Sequence, residues 1–249
     1  MKPSFDDHFS RQARGYAASR PDYPAQLFRY LAGIAPGRER AWDCATGNGQ
    51  AAAALAIHFD EVIATDASEQ QLANARPHER VDYRLATAES TTIETRSVDL
   101  ITVAQALHWF DLDRFYREAA RVLKPGGVMA AWSYAQLRIS PAVDAVIAGL
   151  YGDIVGGYWP PQRRLVEEGY RSLAFPFREL PAPVFEMGGR WPLDRLVAYL
   201  GSWSAVQRYK EANGADPVAL IADRLHDAWG KAAQRTVRWP LAVRVGVKP

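Results

Sequence analysis

Ala41-Trp42-Asp43-Cys44-Ala45-Thr46-Gly47-Asn48-Gly49, then the alanine-rich Gln50 to Phe59, then Glu61-Val62-Ile63-Ala64-Thr65-Asp66 set the architecture of this chain. A short apolar run closed by a glycine turn reads as a buried strand, and the alanine-rich stretch behind the turn reads as a helix. Glu61 to Thr65 is a second strand, and it ends on the carboxylate of Asp66. Strand, glycine turn, helix, strand and acid make a βαβ unit, whose two strands lie parallel in one sheet.

The same alternation continues on both sides of this unit. Before it, Gln26 to Ile34 reads as a helix punctuated by Pro36-Gly37. After it come a helix over Ser68 to Arg76, strands at Val81 to Leu85 and Val98 to Val103, a helix over Asp113 to Leu123, and a strand at Val128 to Trp132. Lys124-Pro125-Gly126-Gly127 ends the last helix, since proline cannot continue it and glycine accepts the left-handed exit. Five strands alternating with helices predict an α/β fold with a doubly wound, mainly parallel sheet.

After Tyr134 the pattern breaks. Residues 139–175 carry helical periodicity around Val143 to Leu150 and a Gly-Gly-Tyr-Trp-Pro-Pro punctuation at 156–161, which reads as a helical lid inserted before the last strands. Phe177 to Met187 is expected as a sixth strand, Leu193 to Ala205 and Pro217 to Trp229 as helices, and Val237 to Val247 as a terminal strand. Pro240 places an edge-facing start on that strand. With 249 residues the whole chain, 1–249, is expected to form one domain.

Composition narrows the function. Apolar residues at 48% and charged residues at 23% describe an ordinary soluble globular protein. Met1 to Arg20 shows no apolar stretch followed by a small-residue cleavage site, and no later run approaches the roughly 20 apolar residues of a membrane helix. The single cysteine, Cys44, allows neither an intrachain disulfide nor a cysteine metal cluster, so a cytoplasmic protein without a metal is expected. Thirty Lys and Arg against 28 Asp and Glu leave a net charge of +2, too little for the electrostatic footprint of a nucleic-acid binder. The expected partner is a small molecule, with neither nucleic acid nor membrane, and the chain itself a monomer or homodimer.

In an open parallel sheet, ligands bind beyond the carboxyl ends of the strands, and the turn after the first strand is the usual place. Gly47 and Gly49 let backbone approach a ligand closely, and Asp66 can accept from both hydroxyls of a ribose. A dinucleotide or S-adenosylmethionine would each use such an acid. A pyrophosphate binder places a third glycine where Gln50-Ala51-Ala52 stands, and Asp43 would repel a pyrophosphate. The same Asp43 can help hold an ammonium, directly or through water, which favours the sulfonium cofactor.

On these residues the chain resembles the class I S-adenosylmethionine-dependent methyltransferases. Trp42 to Gly49 is similar to their glycine motif, Asp66 to their ribose acid, and Ala86-Thr87-Ala88-Glu89 to the segment that meets adenine. Val98 to Val103 with Gln105-Ala106-Leu107-His108-Trp109-Phe110 resembles their fourth strand and its exit, and Arg121 to Gly127 the turn before strand five. The resemblance implies a seven-stranded sheet with its last strand antiparallel, and cofactor contacts from Asp43, Ala45, Thr46, Gly47, Gly49, Asp66, Ala67, Ala88, Glu89, Gln105 and Ala106. Ala45 departs from the glycine found in many members.

His108-Trp109-Phe110 and Tyr16-x-x-x-Arg20-Pro21-x-Tyr23-Pro24 resemble the small-molecule branch that includes the trans-aconitate methyltransferases. That likeness implies that residues 1–36 form N-terminal helices closing over the cofactor, with Tyr16 and Arg20 meeting its methionine carboxylate. His108 lies where acceptor and methyl should meet, and a near-neutral imidazole would serve there as a general base. Arg138, Arg163, Arg164 and Arg208 are candidates to hold an anionic acceptor, a carboxylate oxygen being one possible methyl acceptor. Two other readings stay open: a nicotinamide-dependent oxidoreductase, and a non-catalytic module that binds adenosylmethionine. Strand four exits into Gln105-Ala106-Leu107-His108 rather than an Asn-Pro-Pro-aromatic type of motif, which cradles the amino group of a flipped nucleobase.

Overall fold

The computed structural model describes residues 21–249, so Tyr16 and Arg20 lie outside the described residues. In chain order the elements are α1 (Ala25–Ile34), β1 (Arg40–Cys44), α2 (Gln50–Leu55), β2 (Glu61–Asp66), α3 (Glu69–Ala73), β3 (Val81–Leu85) and β4 (Val98–Ala104). Then follow α4 (Leu112–Val122), β5 (Leu123–Ser133), α5 (Pro141–Gly149), α6 (Arg163–Glu167), β6 (Arg178–Leu180), β7 (Phe185–Trp191), α7 (Leu193–Gly201), α8 (Ser204–Asn213), α9 (Ala222–Trp229) and β8 (Arg235–Val247). Single helical turns at Leu107–Trp109, Leu150–Ile154, Gly156–Tyr158 and Ala219–Ile221 connect them.

The sheet runs β3-β2-β1-β4-β5-β8-β6. The first five strands pair parallel, whereas β8 runs antiparallel to both β5 and β6, so the seven-stranded sheet is mixed. The order reverses at β1, whose neighbours β2 and β4 follow on opposite sides, and this opens a crevice at its carboxyl end. β1 and β4 are covered on both faces, which explains why they read as continuous apolar runs rather than alternating ones. Leu27, Leu31, Leu55, Val62 and Leu100 pack on one face, and Trp42, Ile63, Ile101, Phe115 and Met129 on the other. The one carboxylate buried at the far end of β4, Asp99, is neutralised by Lys124 Nζ at 2.9 Å and accepts from the Arg40 amide at 3.1 Å.

Local chemistry redraws several expected boundaries. Ser68 is not the first helical residue but the N-cap of α3, accepting from Gln71 N at 3.3 Å, and α4 is capped in the same way by Asp111. The expected strand over Phe177 to Met187 divides into β6 and β7 around Pro181 and Pro183, which cannot donate to a ladder. The expected helix over 193–205 breaks at Ser202 and Trp203, and α8 continues to Asn213. Pro240 does not begin β8: it sits inside the strand, opposite Glu186, near the place where β8 exchanges β7 for β5 as its partner. One long strand thereby belongs to both sheets, and proline marks the exchange.

Residues 139–175 are helical in part, and they do not stand alone. α5 packs on α9, and the turn at 156–158 packs on α8, so the segments on both sides of β6 and β7 share one helical layer. Its core is aromatic: Trp239 is fully buried and donates from Nε1 to Tyr199 Oη at 3.1 Å, beside Trp191 and Trp203. Among the described residues no helix is long and apolar enough to cross a membrane.

Truncation of Leu100, which is wholly buried at the sheet centre, is expected to cost about 2–5 kcal/mol in urea unfolding. The same change at Leu220, 60% exposed, should stay within about 0.5 kcal/mol. Equal costs at the two positions would contradict the assigned sheet order.

Candidate functional site

The crevice is built on the register between β1 and β2. Cys44 stands opposite Thr65, so the chain leaving β1 runs beside the end of β2, and Thr46 N donates to Thr65 O at 2.9 Å. One residue on, Gly47 N donates to Asp66 Oδ2 at 2.8 Å, while the second carboxylate oxygen accepts from Ser68 N at 2.9 Å. Gly47 (φ 57°) and Gly49 (φ 76°) occupy the left-handed region, where glycine is unstrained. A Cβ at Gly49 would also collide with the Tyr83 hydroxyl, which is fixed by donating to Arg76 O at 2.6 Å. Conformation and space therefore both require glycine there.

Asp43 lies beneath this loop. Only 1% of it is exposed, and its two oxygens accept from Thr46 Oγ1 at 2.6 Å and Thr102 Oγ1 at 2.7 Å. Burial is the dominant influence and pushes its pKa up to about 6, against the pull of the two hydroxyls and with a small push from the Asp66 charge. Asp43, expected to help hold an ammonium directly or through water, is a buried carboxylate that braces the loop through Thr46. Thr102 was not legible in the sequence; it enters because β4 pairs with β1 in a register that sets it opposite Asp43.

The other expected contacts sit at neighbouring strand ends. Ala67 follows Asp66 directly, and Ala88 is buried in a tight turn closed by Thr87 and Ser90 beyond β3. Glu89, in the same turn, does not point freely into the crevice: its Oε1 accepts from Asp111 N at 3.1 Å, just ahead of α4. Gln105 and Ala106 leave β4, and Gln105 Nε2 donates to Tyr134 O at 2.8 Å, tying that exit to the end of β5. Strain marks the same edge. Of four non-glycine residues with positive φ among the described residues, Ala45 (55°), Gln105 (58°) and Tyr170 (62°) border this crevice or the His108 pocket beside it. Such strain persists where surrounding structure over-determines it, as at ligand sites.

His108 lies in the single turn after β4. Its Nδ1 is 2.9 Å from Tyr170 Oη, and its ring packs on Trp109 and Tyr170 at centroid distances of 4.8 and 5.8 Å. Burial, assisted by the positive charge of Arg163, lowers its pKa to about 3. The near-neutral imidazole expected of a general base is thus not what the fold provides; this imidazole stays uncharged at neutral pH. Neither Tyr170 nor the pairing with it carried a signal in the sequence, since 62 residues separate the two. Among the described residues no group of His, Cys, Asp and Glu is placed to hold a metal ion.

Residues 42–131 match the family model described as a methyltransferase domain. A protein of Dictyostelium discoideum, provisionally named a methyltransferase, is 32% identical over 229 residues, covering 90% of this chain and 87% of that one. A solved structure from Anaeromyxobacter dehalogenans, provisionally named a type II methyltransferase, is 49% identical with a TM-score of 0.88, over 92% of this chain and 98% of that one. Phosphoethanolamine N-methyltransferase 2 of Haemonchus contortus, solved with S-adenosyl-L-methionine, shares the fold at 17% identity and a TM-score of 0.51, over 98% of this chain and 58% of that one.

Two outcomes follow from the site geometry. Ala45→Gly should stabilise the protein by about 1 kcal/mol in denaturant titration, because it relieves a left-handed alanine; a loss of stability would show that the dihedral is not strained. The folded His108 titrates near 3 and an unfolded histidine near 6.5, so between those values the unfolded chain binds the extra proton and stability falls as pH drops. His108→Gln should therefore lose less stability than the wild type between pH 7 and pH 5, and parallel acid slopes would refute the assignment.

Proposed function

Because this chain belongs to the class I S-adenosylmethionine-dependent methyltransferases, we propose that it methylates a small molecule on a carboxylate oxygen, within one domain spanning residues 1–249. The observation that carries the cofactor site is the 2.8 Å bond from Gly47 N to Asp66 Oδ2, which joins loop and acid in one crevice. The residues present fit the cofactor. Two carboxylates, Asp43 and Asp66, suit a cationic ligand with ribose hydroxyls and would oppose a diphosphate. Membership in the family sets aside a nicotinamide-dependent oxidoreductase.

Bound here, S-adenosylmethionine supplies a methyl group made electrophilic by positively charged sulfur. Asp66, aimed by the Gly47 and Ser68 amides, accepts from the ribose hydroxyls. Asp43 acts on the ammonium from beneath the loop, through its field and through Thr46. Ala45, Thr46, Gly47 and Gly49 line the methionine end, Ala67, Ala88 and Glu89 the adenine end, and Gln105 and Ala106 the side facing the acceptor.

His108 supports a carboxylate acceptor. An ionised carboxylate is already a nucleophile, so transfer needs alignment and exclusion of water rather than a base, and an imidazole titrating near 3 provides none. His108-Trp109-Phe110 keeps the small-molecule branch of the trans-aconitate methyltransferases as the reading of choice, with an acceptor other than nucleic acid.

Residues 139–175 act in this reading as the lid. In the same reading the stretch 1–36 closes the opposite side, and Tyr16 and Arg20, outside the described residues, are assigned to the methionine carboxylate. The approach of that segment is supported by Gln50 Nε2, directly after Gly49, which donates to Pro21 O at 3.0 Å and Asp22 Oδ1 at 2.7 Å. The protein is read as a cytoplasmic monomer or homodimer.

Asp66→Ala should weaken S-adenosylhomocysteine binding by about 1–3 kcal/mol in calorimetry, because charged hydrogen bonds to ribose are lost; unchanged affinity would remove the acid from the site. A cationic ligand favours ionised Asp43, whose folded pKa is about 6, so affinity should rise from pH 5 to pH 7 and then level. Asp43→Asn should abolish that rise, and its persistence would assign the proton to another group.

A further inference from the structure

Of the four arginines that could receive an anionic acceptor, the structure singles out one. Arg164 is 77% exposed and paired with Glu168, Arg138 is exposed on a bridge to Arg238, and Arg208 donates to Tyr158 O. Arg163 differs in three ways. Its side chain is 20% exposed, its Cζ lies 4.7 Å from the centre of the Trp159 ring, and its Nε donates to Tyr151 Oη at 2.7 Å. A guanidinium stacked on an aromatic face and held by Nε has its rotamer set in advance, with the fork of Nη1 and Nη2 directed away from that contact.

Among the described residues those two terminal nitrogens donate no hydrogen bond, and the acid paired with this arginine, Glu167, is 3.7 Å from Nε with its Oε1 bonded to Tyr151 Oη. The positive charge is therefore only partly compensated, and it reaches the groups of the acceptor pocket: it acts on both His108 and Tyr170. Burial raises the pKa of the Tyr170 phenol and keeps it protonated, so Oη can donate its proton to His108 Nδ1, 2.9 Å away. The remaining imidazole proton then sits on Nε2, which has no partner among the described residues. Among the described residues these are two donors without acceptors, one of them a cation whose field reaches the other, on the segments that follow β4 and β5. α6 is held there by Ser133 Oγ, which donates to Val166 O at 3.4 Å.

We propose that the Nη fork of Arg163 and the Nε2–H of His108 form a receptor for an oxyanion of the acceptor, with Tyr170 as the positioning residue that fixes the imidazole tautomer. This inference rests on the reading of the crevice as a methyltransferase site. It gives His108 the role of donor rather than base. A carboxylate has acceptor positions on both oxygens, so anchoring one leaves the other for methyl transfer. Trp109, partly exposed beside the His108 ring, offers a flat apolar face to an aryl or planar body behind the oxyanion.

The test is calorimetry on the protein loaded with S-adenosylhomocysteine, using phenylacetate, phenyl phosphate and the neutral isostere phenylacetamide. Wild type should bind at least one anion tenfold or more tighter than the amide, and the preferred anion tells carboxylate from phosphate. Arg163→Gln should lose at least tenfold of that affinity, His108→Phe a smaller part, and the exposed control Arg164→Gln none. All variants should keep wild-type affinity for S-adenosylhomocysteine, which shows that they fold. Equal binding of amide and anions, no anion binding by the wild type, or undiminished anion affinity in Arg163→Gln would each overturn the receptor while leaving the cofactor site intact. Failure of wild type to bind S-adenosylhomocysteine would instead sink the reading beneath it.

Discussion

The bond between the Gly47 amide and the Asp66 carboxylate exists only because β1 and β2 pair in parallel with Cys44 beside Thr65. A slip of one residue would turn every side chain of β2 to the other face and move the acid away from the loop. The register is held by burial on both faces: Val62 and Ala64 enter the α1 and α2 side of the core, and Ile63 enters the α4 side. Apolar packing thereby places two polar groups within hydrogen-bonding distance, although neither contributes much to the core itself.

Electrostatics constrain the same place from the opposite direction. A carboxylate inside a sheet is costly unless its hydrogen bonds are satisfied, and Asp43 recovers part of that cost from two threonine hydroxyls. Its residual discomfort shows in a pKa raised to about 6. A ligand bearing positive charge relieves what burial imposes, so the features that reduce stability in the free protein increase affinity in the complex. Left-handed Ala45 and Gln105, at adjacent strand ends, follow the same logic. The fold tolerates strain along the edge that faces the ligand and almost nowhere else among the described residues.

How much of this was legible in the sequence varies with how local each cause is. The five parallel strands, the glycine turn and Asp66 could be read because strand periodicity and turn chemistry act over a few residues. Pro181 and Pro183 were equally visible, yet their effect, dividing a strand between two partners, depends on β8, more than 50 residues away. Thr102 and Tyr170 carried no local signal, for one acts through strand register and the other through a helical layer assembled from distant segments. Arg163 stood among four equivalent arginines until Trp159 and Tyr151 were seen to hold it. Packing, rather than residue type, distinguished it.

The protonation state of His108 joins these strands of argument. An imidazole placed after β4 in a polar, open crevice would titrate near neutrality and could accept a proton during each turnover. Here Tyr170 fills Nδ1, Trp109 covers the ring and Arg163 adds positive charge nearby, and each of these favours the neutral form. A group that cannot be protonated at working pH cannot remove a proton from an acceptor, but it can donate one hydrogen bond in a fixed direction. In the function proposed above, such a group orients an acceptor that arrives already nucleophilic, and selectivity rests on where donors point rather than on a base of matched pKa.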